Sequence, residues 1–274
     1  MESFENNVKK FYALVDIDRK IVGVKLLKDK SQFDSYDVIN LIKPLSYCVS
    51  VKSASLGHRI KYDKLRSGCG GSTRALGFEK PTDDFLDGRA PLRLGLFKDQ
   101  QVSMESALHT TNVLSNTYGV LVQPIEFFSE EDKPDVVIVI GKPRELMRIM
   151  QGYTYNYGIN TNMSMSGNQG ICVEATAYPL IHNTINMSLL FSGTRYLAQL
   201  KDEEAAIGIS MNILDKVIDG LYDTVNVVEM DKRKSEISKD LISKNVDCMQ
   251  MEYGKTYYTE YEEQKRKERD NENH

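Results

Sequence analysis

The sequence predicts an α/β or α+β fold in which several helices pack on a mixed sheet, followed by a charged helical C-terminal appendage. Short apolar, β-branched runs alternate along the chain with segments whose apolar residues have helical spacing. The composition then changes, and residues 230–274 end in the charged run EEQKRKERDNENH. We therefore expect one globular body over residues 1–229 and an appendage over residues 230–274.

The strand predictions rest on short apolar or alternating runs. They cover residues 21–27, 59–64, 119–125, 135–140, 160–165, 187–191 and 205–209. The run DVVIVI at residues 135–140 is almost continuously apolar, as is typical of a strand buried on both faces.

The helix predictions rest on apolar spacing and on proline and glycine at the helix ends. They cover residues 44–54, 69–76, 101–112, 143–155, 168–178, 194–200 and 213–222. Pro143 suits the first turn of its helix, and Pro179 is expected to stop the helix of residues 168–178.

Composition and charge exclude several classes of protein. The chain has 274 residues, of which 41% are hydrophobic and 27% charged, so disorder throughout is excluded. A net charge of −4 argues against general binding to nucleic acid or anionic membranes. No apolar run reaches the ~20 residues of a membrane span, and the first residues do not resemble a secretory signal. We expect a cytoplasmic protein whose cysteines are thiols or ligands.

Three Ser-Gly pairs each end an extended segment and precede a predicted helix. They are Ser67-Gly68, Ser166-Gly167 and Ser192-Gly193. Such pairs allow a tight turn and leave free N–H groups at a helix start, which attract anions. Capping alone explains any one pair, but three pairs with thiols and arginines nearby favour a shared site for a small anion.

Three cysteines, Cys48, Cys69 and Cys172, each lie near a predicted helix start. The positive potential there favours thiolate, the form that attacks electrophiles and binds metals. Burial as core filler is the alternative, since free cysteine is often buried. No C-x-x-C is present, which excludes a zinc ribbon. Converging thiols would suit an iron–sulfur cluster or another thiophilic metal that leaves one position open to substrate.

Two arginines and two glycines complete the candidate anion site. Arg74 and Arg195 each follow a Ser-Gly pair and could clamp a carboxylate or phosphate, or could be surface residues of their helices. Gly70 and Gly71 belong to the same turn as Cys69, although the segment lacks the G-K-[ST] of a P-loop.

Tyrosines are the remaining candidates. Tyr153 and Tyr155, in the run GYTYNYG, could line a site for a planar ligand or could be ordinary amphipathic side chains. In the appendage, Tyr253, Tyr257 and Tyr261 share one helix face, which predicts packing on the body or on a second copy in a homo-oligomer. A solvated charged tail is the alternative.

Several collinear runs, among them SGCGGSTRALGF, KPDVVIVIGKPRELMRIMQGYTYNYG, SGNQGICVEATAYP and SGTRYLA, resemble domain-of-unknown-function family 169, an archaeal conserved region. The resemblance covers residues 21–221. It implies a cytoplasmic protein of anaerobic bacteria and archaea, with family cysteines at Cys48, Cys69 and Cys172. A further family cysteine is implied where this chain has Phe191, so a three-thiolate site, a reactive thiol or a site lost in this member is expected in place of a four-thiolate cluster.

Three hypotheses for function remain open at the level of sequence. The first is a redox or metal-site protein, in which an iron–sulfur cluster or thiophilic metal on the three cysteines acts on a small anionic substrate. The second is a metal-free protein that binds an anionic cofactor or substrate at the Ser-Gly helix starts. The third is a structural partner subunit.

Overall fold

Seven strands form one mixed sheet in the computed structural model, which describes residues 3–15, 17–114, 116–224, 236–237, 239–241, 243–244 and 267. The strands are β1 (Val22–Leu27), β2 (Ile39–Asn40), β3 (Ile60–Asp63), β4 (Gly119–Pro124), β5 (Val136–Gly141), β6 (Ile185–Ser188) and β7 (Ala205–Ser210). Their order in the sheet is β2-β3-β4-β1-β5-β7-β6. The β2–β3 pair is parallel and every other neighbouring pair is antiparallel.

Helices cover both faces of this sheet. They are α1 (Phe4–Leu14), α2 (Lys30–Ser35), α3 (Tyr47–Ser55), α4 (Gly70–Ala75), α5 (Asp83–Leu86), α6 (Arg89–Arg93), α7 (Gln100–Leu108), α8 (Pro143–Tyr157), α9 (Tyr178–His182), α10 (Ser192–Ala198) and α11 (Leu214–Asp223). The predicted class, a mixed sheet with several packed helices, is confirmed.

Alternate residues of the central strands supply two separate cores. On β5, Val137 and Val139 pack in a first core with α1, α8 and α11. Val136 and Ile138 point the other way, into a second core with α3, α4, α10 and a π-helical segment at Val173–Ala177. Because both faces are covered, β4, β5 and β7 are buried throughout, which explains their largely apolar sequences.

The π-helical segment corrects the prediction that Pro179 ends a helix. The helix begins at residue 171 and continues through Pro179 into α9. In an α-helix, a proline here would clash with the carbonyl of Ala175. The wider π turn relieves that clash, and the Ala175 carbonyl lies against β7, where a Cβ added to Gly208 would come within 2.0 Å of it. Glycine at position 208 therefore allows the segment to approach the sheet.

The predicted strand at residues 160–165 is wrong, because this stretch has no regular structure. It is attached to β6 by a side chain instead. Asn186 accepts a hydrogen bond from Ser164 N and donates one to Ser164 O, each at 2.9 Å. These side-chain bonds replace the backbone ladder that a strand would form. The following strand lies at Ile185–Ser188, two residues earlier than predicted.

Two residues of the predicted appendage are buried in the body. Ile237 and Leu241 belong to the first core. The tyrosine face at Tyr253, Tyr257 and Tyr261 lies outside the described residues, so the homo-oligomer stays a prediction. No helix in the described part of the chain combines the length and apolar character that crossing a membrane requires.

Candidate functional site

The helices on the second-core side enclose a cavity of about 550 Å³, which we call the thiol cavity. Its walls come from α3, α4, the short helices α5 to α7, the loop before the π-helical segment, and α10. Apolar side chains contribute much of the surface, among them Phe85, Leu94, Leu96, Phe97, Ile171 and Leu197. This volume is in the range that holds a small organic ligand.

Three cysteines from distant parts of the sequence line the thiol cavity. Cys48 is the second residue of α3, Cys69 is the N-cap of α4, and Cys172 directly precedes the π-helical segment. All three are free thiols and partly exposed. The distant segments that carry the sulfurs therefore converge on one site.

Backbone hydrogen bonds bring the first two cysteines together. Leu45 N donates to Arg66 O at 3.0 Å, and Gly68 N donates to Leu45 O at 2.9 Å. A Cβ added to Gly68 would lie 3.0 Å from the Leu45 backbone, a tight contact that glycine avoids. The start of α3 is thereby fixed beside the start of α4.

A buried chain of hydroxyl groups attaches α3 to the third cysteine's segment. The Tyr47 hydroxyl lies 2.8 Å from Thr176 Oγ1, which donates to Ile171 O at 2.9 Å. Tyr47 is 1% exposed and lines the cavity. Buried polar groups that are paired in this way fix one arrangement of the packed segments.

Burial determines the protonation of two of the thiols. It raises the pKa of Cys172, and the nearby thiols of Cys69 and Cys48 raise it further because a second negative charge is disfavoured. Burial also raises the pKa of Cys48, although the Ser46 hydroxyl, 3.3 Å from its sulfur, acts in the opposite direction. Desolvation thus outweighs the helix-start potential from which the sequence predicted thiolates.

Arg74 is the cation of the thiol cavity. Its guanidinium carbon lies 4.0 Å from the centre of the Phe85 ring, and its Nε atom is buried without a hydrogen-bond partner. Burial lowers the pKa of Arg74, while the neighbouring Cys172 and Cys69 act to raise it. Arg74 forms no ion pair with any carboxylate of the described residues, and its charge is therefore available to a ligand.

The charge of the cavity wall is otherwise positive or neutral. Arg93 also lines it, but pairs with Asp84 through both terminal nitrogens. No Asp or Glu is among the described residues that line this cavity. Arg74 is half-buried, and a partly desolvated cation without a counter-ion is unfavourable alone, so the wall is complementary to an anion.

Several other candidates of the sequence lie at or beside the thiol cavity. Gly70, Gly71 and Gly193 line it with Arg74. The Ser67 hydroxyl lies 2.9 Å from Thr73 Oγ1, so Ser67 holds the α4 turn without lining the cavity.

The structure places the remaining Ser-Gly candidates elsewhere. Arg195 donates to the carbonyls of Leu189 and Glu204, each at 2.8 Å, and thus fastens α10 to its flanking loops. Ser192, at the start of α10, does not line the thiol cavity. Ser166 lines a second cavity, and the following Gly167 has a positive φ of 71°.

The two candidate tyrosines lie on α8, on the opposite face of the sheet. Tyr153 packs against the first core and stacks on Tyr157 with ring centres 4.9 Å apart. Tyr155 is 58% exposed. Neither residue reaches the thiol cavity.

The sequence did not predict Phe85 as a site residue, nor the helices α5 and α6, which form part of the cavity wall. These helices have four and five residues, too short for a periodic pattern. The run TDDF does carry one signal, since Thr82 accepts a hydrogen bond from Phe85 N as an N-cap. That signal predicts a helix start but gives no reason to place Phe85 under Arg74.

The fold and the site define an α+β protein whose helical layer on one face of the sheet encloses a thiol-lined cavity. The chain belongs to domain-of-unknown-function family 169, described as an uncharacterised ArCR, whose model matches residues 10–220. An uncharacterized protein of Methanocaldococcus jannaschii is 25% identical over 224 residues, which cover 81% of this chain and 94% of that protein. No solved structure matches this chain significantly. The resemblance found in the sequence is confirmed, and the matched range contains the whole thiol cavity.

Proposed function

We propose that this protein is a cytoplasmic binding protein for a small organic anion, which it holds in the thiol cavity against Arg74. The single observation that carries the proposal is the unpaired Arg74 guanidinium in a cavity whose described lining has no carboxylate. Free thiols at Cys48, Cys69 and Cys172 are typical of the reducing cytoplasm.

The lining further narrows the class of ligand. Phe85, Phe97 and Leu197 present apolar surface. The free energy of binding is therefore more favourable for an anion with an alkyl or aromatic part than for an inorganic ion. The guanidinium matches a carboxylate or a phosphate, which it can bind through two parallel hydrogen bonds. The thiols lie beside the same space, where they contact the bound molecule.

A ligand panel tests the proposal. Thermal shift followed by calorimetric titration compares inorganic phosphate, hexanoate, hexyl phosphate and flavin mononucleotide, since a ligand of the folded state raises its melting temperature. We expect an organic anion to bind. Arg74→Gln should weaken its affinity about tenfold or more, which is the effect expected from the loss of a hydrogen bond to a charged group. Arg144→Gln, an exposed arginine on α8, is the matched control. Equal binding by wild type and Arg74→Gln, or no binding of any organic anion, contradicts the proposal.

A second candidate is a thiophilic metal or iron–sulfur cluster bound by Cys48, Cys69 and Cys172. It is favoured by three thiols on one cavity, because thiolates select such metals. In the described residues, however, no three His, Cys, Asp or Glu side chains are arranged so that they could hold a metal ion. Metal binding would require the thiols to move together and to lose their protons.

Anaerobic reconstitution with ferrous iron and sulfide tests this second candidate. Stoichiometric iron and sulfide with a visible absorption band, lost in Cys69→Ser, would support it. Because Phe191 lines the same cavity, Phe191→Cys adds a fourth thiol and is expected to raise the iron content. A colourless, iron-free wild-type protein contradicts the candidate.

A further inference from the structure

A second cavity of about 580 Å³ adjoins the thiol cavity, and we call it the acidic cavity. Four residues line both cavities: Ser106, Thr110, Gln169 and Val173. Its charged lining is opposite in sign to that of the thiol cavity. Asp99, Glu105 and Glu174 contribute carboxylates, and Lys98 is the one lysine or arginine among its described lining residues.

Most of these charges are already paired. Lys98 lies 3.6 Å from Asp99, and His109 lies 3.6 Å from Glu105, a pair that is ionic when the histidine is protonated. Glu174 has no cationic partner among the described residues. The acidic cavity therefore has one carboxylate with no positive charge beside it.

Glu174 is 2% exposed, and its two carboxylate oxygens differ. Oε1 accepts a hydrogen bond from Ser166 N at 2.9 Å. Oε2 is buried and makes no hydrogen bond with any described residue. A buried carboxylate oxygen without a donor is costly, because it has lost its contact with water. Burial accordingly raises the pKa of Glu174, and the Ser166 N–H and the nearby Ser188 hydroxyl offset this only in part. A donor from a ligand would remove that cost.

The π-helical segment places this carboxylate beside the thiols. Cys172 precedes the segment and lines the thiol cavity, whereas Glu174, two residues later, lines only the acidic cavity. One turn of backbone thus presents a thiol to a positively charged cavity and a carboxylate to a negatively charged one. π-helical turns often occur at functional sites.

We infer that the acidic cavity binds the ammonium group of an amine through Glu174. A protonated amine supplies both the charge and the hydrogen-bond donors that Oε2 lacks. The amine has two sources: it is either the far end of the anion in the thiol cavity, or a separate amine molecule. This inference goes beyond the proposed anion site, since it concerns a different cavity and a different residue.

Calorimetric titration of four probes at neutral pH tests the inference: hexylamine, hexanol, hexanoate and 6-aminohexanoate. Hexanol is the neutral match for hexylamine. We expect hexylamine to bind the wild-type protein about tenfold more tightly than hexanol does, as is typical of a charge-assisted hydrogen bond. Glu174→Gln keeps an oxygen that can accept from Ser166 N but removes the charge, and should abolish this preference.

Glu5→Gln is the matched control, because Glu5 is an exposed carboxylate on α1, beyond the opposite face of the sheet. If 6-aminohexanoate binds more tightly than hexylamine and hexanoate, one ligand spans both cavities. If it binds no more tightly than the better of the two, the amine is a separate molecule. When hexylamine binds more tightly than hexanol, either result supports the ammonium site.

The inference is overturned if wild-type protein binds hexylamine no more tightly than hexanol, a comparison that requires no variant to fold. It is also overturned if Glu174→Gln retains the preference. Failure of the anion proposal can be distinguished from this result, because the anion proposal is judged from the panel of organic anions and from Arg74→Gln.

Discussion

Gln169 Nε2 donates a hydrogen bond of 2.9 Å to Thr110 Oγ1, and both residues line both the thiol cavity and the acidic cavity. The bond joins the end of α7 to the loop before the π-helical segment. It therefore crosses the boundary between a cavity with unpaired positive charge and one with unpaired negative charge.

Substitution of Thr110 by valine tests the role of this bond. Thr110 Oγ1 also donates to Ser106 O at 2.9 Å, so Thr110→Val removes two hydrogen bonds while keeping the shape of the side chain. We expect a loss of about 1–2 kcal/mol in the free energy of unfolding, measured by urea denaturation. Thr161→Val, at an exposed threonine, should have little effect. Equal stability of Thr110→Val and wild type would refute this role.

Gly208 is expected to control the position of the π-helical segment. A methyl group there would come within 2.0 Å of Ala175 O, so strand and segment must separate. We expect Gly208→Ala to lower the free energy of unfolding by about 1–3 kcal/mol. It should also weaken hexanoate binding, because Cys172 moves with the segment. A variant as stable as wild type, with unchanged binding, would show that the contact has no such role.

Gly71 offers the opposite case, a glycine in α4 with room for a methyl group. The nearest atom to an added Cβ is Cys69 Sγ at 3.6 Å, an ordinary contact. Gly71→Ala should leave stability unchanged or raise it by about 0.5–1 kcal/mol, since alanine favours a helix. The methyl group should slow the alkylation of Cys69, measured by mass spectrometry. An unchanged rate would contradict the placement of Gly71 against this sulfur.

The raised pKa of the Cys172 thiol predicts that the protein loses stability at alkaline pH. Burial raises its pKa in the folded protein, so above about pH 9 the unfolded chain loses this proton while the folded chain keeps it. The free energy of unfolding should fall by about 1 kcal/mol more in wild type than in Cys172→Ala between pH 8 and pH 10. The comparison is made by urea denaturation at each pH. Identical pH dependence in the two proteins would argue that the Cys172 thiol is not desolvated.

The sequence predicted the sheet well because buried strands have a local signature. Residues 119–125 and 135–140 are almost continuously apolar, and the structure has β4 and β5 there. The strand prediction failed at residues 160–165. Their alternating residues resemble a strand, but the side chain of Asn186 makes hydrogen bonds that a partner strand would otherwise make. The helix prediction also failed at Pro179, because a π turn can be identified only from its tertiary contacts.

Part of the candidate site could also be predicted, because it too has a local signature in the sequence. Cys48, Cys69 and Cys172 were recognisable because they lie at helix starts, and their segments meet at the cavity. Arg195 has the same sequence context as Arg74, yet it binds backbone carbonyls. Glu174 gave no sequence signal, since the lack of a donor at its Oε2 atom depends on how the chain packs around it.

Mass-spectrometric mapping of thiol alkylation tests the central claim most directly, namely that an anion beside Arg74 occupies the cavity lined by all three cysteines. Iodoacetamide modification of Cys69 is followed at mildly alkaline pH, with and without saturating hexyl phosphate, because the raised pKa values of Cys48 and Cys172 keep those two thiols protonated and slow to react. We predict that the bound anion slows the reaction of Cys69, and that Arg74→Gln loses this protection at the same probe concentration. An unchanged rate at Cys69 in wild-type protein with the probe bound would contradict the account.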